Sequence, residues 1–183
     1  MEHLDLATLE AGLDDILASP KDDGRLELIV RRPAVEEREA LAEGVLDTTE
    51  GLVGDCWRIR GSSMTSDGSA NPKAQLTLMN VHVARLVAQD PERVPLAGDQ
   101  LYVDFDLTRD NAPPGTRLAI GSAVVEITDD PHLGCRKFMD RFGRDAHRFV
   151  NSKERRELNL RGVNAMVVVG GTVRAGDTVS KTA

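Results

Sequence analysis

The sequence predicts a mainly β protein with α: a closed or half-closed β-barrel of mixed strands with peripheral helices. Three observations predict it. About seven short segments have strand length and composition. Helical patterns lie between some of them, but without the regular strand–helix alternation of a doubly wound sheet. Aromatic residues make up only 3% of the 183 residues against 40% hydrophobic, so aliphatic side chains must fill the core.

Leu6, Leu9, Leu13, Ile16 and Leu17 recur at helical spacing, and Pro20 ends the pattern. The polar break "KDDG" follows. Residues 1–24 are therefore expected to be an N-terminal helical add-on, with its apolar stripe docked on a single domain over 25–183. "LELIV" (26–30) predicts a strand. Pro33 suits the first position of a short helix reaching Ala42. "GLVGDCW" (51–57) is turn-rich, and "GSSMTSDGSANPK" (61–73) has the composition of a mobile surface loop.

"QLTLM" (75–79) predicts the next strand. Asn80 suits the N-cap of a helix carrying Val81, Ala84, Val87 and Ala88, which Asp90-Pro91 ends. In "QLYVDFDL" (100–107), Leu101, Val103, Phe105 and Leu107 alternate onto one face. "NAPPG" is a rigid turn, and "TRLAIG" (116–121) and "AVVEIT" (123–128) follow as strands. Phe142, Ala146, Phe149 and Val150 predict a helix over 143–150. "VNAMVVV" (163–169) and "TVRAGDTV" (172–179) complete the strand set.

The formal charge of −7 argues against a general nucleic-acid binder, which needs a basic footprint. Two cysteines, no cationic leader and no membrane-length apolar run predict a soluble cytoplasmic protein. Walker and Rossmann glycine patterns and G-x-S-x-G are absent.

One stretch breaks the acidic trend. "PHLGCRKFMDRFGRDAHRF" (131–149) holds Arg136, Lys137, Arg141, Arg144 and Arg148 with His132 and His147, against Asp140 and Asp145. Cations beside Cys135 favour its thiolate, the form that attacks sulfur or binds soft metals. Gly134 leaves room for a close approach. The residues alone keep two readings open, a reactive thiolate or a small buried hydrophobe. Cys56, beside Trp57, reads as core. A zinc site from His132, Cys135, His147 and Cys56 lacks a second local ligand pair.

The chain resembles the MOSC domain family, named after the C-terminal part of molybdenum-cofactor sulfurases, as a small stand-alone bacterial-type member. "LVGDCW", "QLTLMNVHVARL", "LAGDQLYVDFDL", "APPGTRLAIGSAVVEIT", "PHLGCRKFMDRFGRDAHRFVN", "LRGVNAMVV" and "GTVRAGDTV" carry the resemblance in order across 26–180. It implies a barrel-based fold and a cysteine, here Cys135, that ligates molybdenum or carries sulfur. It implies molybdenum cofactor (molybdopterin), an oxidoreductase or sulfur-transferase role, and an electron-transfer or cysteine desulfurase partner.

On that footing Arg136, Lys137, Arg141 and Arg161 are candidate anion contacts and Asn164 a candidate polar contact. His132 is a candidate proton donor or loop orienter. The sequence departs from many relatives after Gly54-Asp55, where Cys56-Trp57 replaces a basic residue and histidine. The β-barrel domain that accompanies MOSC domains in larger members is not expected here. The expected functions are a molybdenum-cofactor oxidoreductase module, a sulfane-sulfur carrier, or a non-catalytic interaction module.

Overall fold

The computed structural model describes residues 2–182. Its elements in chain order are α1 (Leu6–Ala11), α2 (Leu13–Leu17), β1 (Gly24–Arg31), β2 (Glu39–Leu41), β3 (Glu43–Asp47), β4 (Gly51–Leu52) and α3 (Trp57–Arg60). Then come β5 (Leu76–Asn80), α4 (Val81–Ala88), a 3-10 segment (Pro91–Ala97), β6 (Leu101–Asp104), β7 (Arg117–Ile120) and β8 (Ala123–Ile127). The last are α5 (Arg136–Val150), β9 (Val163–Val169), β10 (Gly171–Arg174) and β11 (Thr178–Thr182).

Seven strands close a barrel in the order β1-β6-β5-β9-β8-β7-β11, and β11 returns to β1. Every pairing is antiparallel except β5 with β6. That parallel pair needs a crossover, which α4 and the 3-10 segment supply. β10, β3 and β4 form a separate three-stranded sheet.

Strand alternation divides the apolar residues between two cores. Leu26, Leu78, Leu101, Val103, Phe105, Leu118, Val125, Ala165 and Val179 fill the barrel. The expected face of Leu101, Val103, Phe105 and Leu107 is this interior. Met79 and Tyr102 point outward into a second core with Leu9, Val83, Phe138, Phe142 and Phe149. All but one of the large rings thus avoid the barrel interior, where branched aliphatics pack in layers.

Asn80 is the N-cap of α4, its Oδ1 accepting from His82 N at 2.8 Å. The N-terminal helix is two short helices broken at Gly12. A Cβ there would lie 2.7 Å from Leu86 Cδ2 of α4, so that side chain would have to shift. The helix expected from Pro33 does not form. Glu36 takes φ 68°, and β2 pairs back on β1 with Val30 opposite Ala40. "TVRAGDTV" is two strands, not one, turning at Gly176 with φ 101°. α5 begins seven residues before the predicted start because Phe138 and Phe142, one helical turn apart, both bury into the outer core. Gly143, at φ 92° and ψ 167°, bends it. No helix among the described residues is long and apolar enough to cross a membrane.

Candidate functional site

Cys135 ends the 129–135 loop and caps α5 with its backbone extended. Its side chain is exposed. The loop is pinned from behind. Gly134 N donates to Asn151 Oδ1 at 2.8 Å, and His147 Nε2 donates to Gly134 O at 2.8 Å. A Cβ on Gly134 would meet Asn151 at 3.0 Å and Val150 at 3.2 Å. The missing side chain at 134 thus lets the loop pack closely against the end of α5.

Cys135 opens onto a cavity of about 320 Å3. Arg32, Arg38, Arg60, Lys137, Arg141 and Arg161 line it, together with Cys56, Glu36, His132 and Asn164. Helical spacing puts Lys137 and Arg141 on one face of α5. Both pair with Glu36, whose carboxyl the Lys137 hydrogen bond holds below its usual range. Arg32 is buried. Its Nε and Nη2 meet the two Asp55 oxygens at 2.8 Å each. Burial works against its charge, and Asp55 more than restores it. Asp55 of the Gly-Asp pair thus organises an arginine of this wall.

Arg161 is 5% exposed. Its Nη1 lies 2.7 Å from Asp99 Oδ2, and its guanidinium sits 5.1 Å above the Phe138 ring. The other Asp99 oxygen is 2.8 Å from His132 Nε2. Burial alone would raise the Asp99 carboxyl, but Arg161 and His132 outweigh it and bring it down to about 2. His132 moves down as well, through burial and the charge of Arg161. A neutral His132 donating from Nε2 to ionised Asp99 keeps Nδ1 as an acceptor.

Six cations thus face three carboxylates, Glu36 together with Asp55 and Asp99 behind the wall. Among the described residues, three buried side-chain polar atoms have no hydrogen-bond partner: Arg38 Nε, Arg161 Nε and Asn164 Oδ1. All three residues line this cavity. A second cavity, of about 240 Å3, shares His132, Leu133, Arg161 and Asn164 with it.

Of the residues expected from sequence, Cys135, His132, Lys137, Arg141, Arg161 and Asn164 come together. Arg136 does not line the cavity; its side chain is 80% exposed and paired with Asp140 at 2.9 Å. Sequence reasoning missed Arg32, Arg38, Arg60, Glu36 and Asp99. Loop 61–73 lines neither cavity, although its flanks Arg60 and Ala74 line the one at Cys135. His132, Cys135, His147 and Cys56 do not gather as a zinc site: among the described residues, no three His, Cys, Asp or Glu side chains are placed to hold a metal ion.

A seven-stranded mixed barrel with an exposed thiol at the mouth of a cation-lined cavity defines the class. The MOSC domain model matches residues 69–180, and the chain belongs to that family. No curated protein sequence matches it. Among solved structures, the fold is similar to APC1665, the YuaD protein from Bacillus subtilis. The TM-score is 0.61 at 18% identity, covering 85% of this chain and 93% of that one. It is also similar to YiiM from Escherichia coli, with TM-score 0.53 at 18% identity, covering 87% and 70%.

Proposed function

We propose that the Cys135 cavity binds molybdenum cofactor and that the protein is a small oxidoreductase module with Cys135 as the protein ligand to the metal. One observation carries the reading: an exposed thiol opens onto a cavity whose cations outnumber its carboxylates. The cofactor is an anionic pterin phosphate with a dithiolene, so it calls for cations and one soft ligand. The residues fit it. Lys137, Arg141, Arg38 and Arg60 would hold the anionic end, and Arg38 Nε is a buried donor still without a partner. Arg161 and Asn164 close the inner wall. Arg136, outside the cavity, is not part of this set.

Bound there, the cofactor would supply a redox metal with coordination positions for substrate. The chain's own residues then have definable tasks. Cys135 would hold the metal. Asp99 would keep His132 in the Nε2–H tautomer, which leaves Nδ1 as the ring's acceptor. Turnover at such a metal would call for an electron donor, and an electron-transfer partner is proposed to supply it.

Metal analysis of protein made in a cofactor-competent host tests this. About one molybdenum per chain is expected, as one thiolate ligand implies, with most of it lost in Cys135→Ser. No molybdenum in any preparation would overturn it. The exposure of Cys135 also favours a second reading, a sulfur carrier loaded as a Cys135 persulfide by a cysteine desulfurase. Mass spectrometry after such loading should then show one added sulfur atom on Cys135 without any metal.

A further inference from the structure

The second cavity, of about 240 Å3, does not include Cys135, Lys137 or Arg141. Pockets for drug-sized ligands begin at roughly 300 Å3, so its occupant is small. Ala112, Ile127, Leu160 and Val163 back it with aliphatic side chains. Pro114 and Leu133 bring exposed apolar surface to it.

Its charged residues fall into two groups of opposite sign. Arg109 and Arg156 form the first, and both are exposed. Their segments are tied together where Arg109 N donates to Glu157 O at 2.7 Å. The Glu157 carboxylate lies 3.7 Å from Arg109. Arg156 makes no side-chain hydrogen bond or ion pair among the described residues. Two guanidiniums thus stand against one carboxylate.

Asp129 and Asp130 form the second group. Lys73 meets Asp129 at 2.8 Å and interacts more weakly with Asp130. Asp130 is half-buried, and its Oδ2 accepts from the neutral Asn71 amide at 2.9 Å. Two carboxylates thus stand against one ammonium. Arg161, the remaining cation of the lining, is neutralised by Asp99. No ion pair joins the two groups among the described residues, so each keeps one charge that the protein does not neutralise.

A simple anion or cation would match one group and leave the other as it is. A molecule carrying both charges matches both. The partners are solvated, so each contact is weak and the charges select the ligand more than they hold it. Burial of an apolar body against the aliphatic wall supplies the rest.

We propose that this second cavity binds a small zwitterion with an aliphatic body, the chemistry of an aliphatic amino acid. Its carboxylate accepts from Arg156, its ammonium donates to Asp130, and its side chain rests on the aliphatic wall. The site is separate from the Cys135 chemistry and needs no metal.

Leucine is the probe, titrated into isotope-labelled protein made without molybdenum and followed by amide NMR. Shifts are expected at residues 109, 127–130 and 156–163. Isopentylamine keeps the ammonium and the side chain but lacks the carboxylate. Isocaproate keeps the carboxylate and lacks the ammonium. Each should bind about fivefold more weakly than leucine, the discrimination that one partly exposed ion pair gives. Arg156→Gln should erase the preference over the amine and keep the preference over the acid. Asp130→Asn should do the reverse. Arg156 is exposed and unpaired, so its variant keeps the fold; if Asp130→Asn loses its dispersed spectrum, Arg156→Gln decides alone. The proposal is overturned by an absence of leucine shifts at these residues, by equal binding of the three probes, or by a preference over the amine that survives Arg156→Gln. None of these readouts involves molybdenum or Cys135, so this proposal and the cofactor reading fail independently.

Discussion

At the scale of single residues, Asp99 organises the inner wall. A fully buried carboxylate is tolerated only when paired, and Asp99 spends one oxygen on Arg161 and the other on His132. This makes stability depend on pH in two steps. His132 titrates below the usual imidazole value of 6.5 when folded, so below that pH the unfolded chain binds the proton first and stability falls. Asp99 titrates at about 2 when folded against 3.8 unfolded. Its contribution, about 2 kcal/mol, is present above pH 3.8 and is lost as the pH drops toward 2. Urea unfolding across pH 7.5 to 2.5 should show both declines, with His132→Asn abolishing the upper one while the lower persists.

The local chemistry around Cys135 was legible at this scale because its cations are its sequence neighbours. Arg32, Arg38 and Asp99 were not legible. Arg38 and Arg32 lie 97 and 103 positions before Cys135 and Asp99 lies in the "LAGDQ" turn, and only barrel closure brings them to the same wall. Their one sequence signal is weak: adjacent arginines before Pro33, and an aspartate between Gly98 and Gln100 in an otherwise apolar run.

At the scale of elements, α5 does two jobs on either side of Gly143. The first half presents Lys137 and Arg141 to the cavity while burying Phe138 and Phe142. The second half sets His147 and Asn151 behind the Cys135 loop. The bend at φ 92° and ψ 167° lies in a region that only glycine adopts without strain, and a Cβ there would sit 2.7 Å from the His3 ring. Gly143→Ala should therefore lower stability by about 1–3 kcal/mol, read as a drop in thermal midpoint. The sequence showed the second half through Phe142, Ala146, Phe149 and Val150. The first half was hidden because its charges were read as a cationic loop, whereas the spacing of Phe138 and Phe142 already marks a buried helical stripe.

At the scale of the whole molecule, the barrel was legible from strand count and aliphatic composition; its order was not. Strand alternation states which side chains point inward and says nothing about neighbours. Among the described residues, the seam pairs β1 with β11 at Gly24 with Val179 and Arg25 with Thr178, and Leu26 extends it by bonds to Gly176 and Asp177. Lys181 N donating to Asp22 Oδ1 at 2.8 Å reinforces it just outside the strands. A chain truncated after Arg174 lacks β11 and leaves the edges of β1 and β7 bare. It should be cleaved rapidly by protease where the full chain resists.

The seam also sets a schedule for synthesis. Gly24 leaves the ribosome long before Val179, its opposite number, has been translated. Until then every earlier strand waits on an unfinished circle, exposed to chaperones or to a neighbouring nascent chain. Pausing while β11 is still in the exit tunnel would prolong that interval.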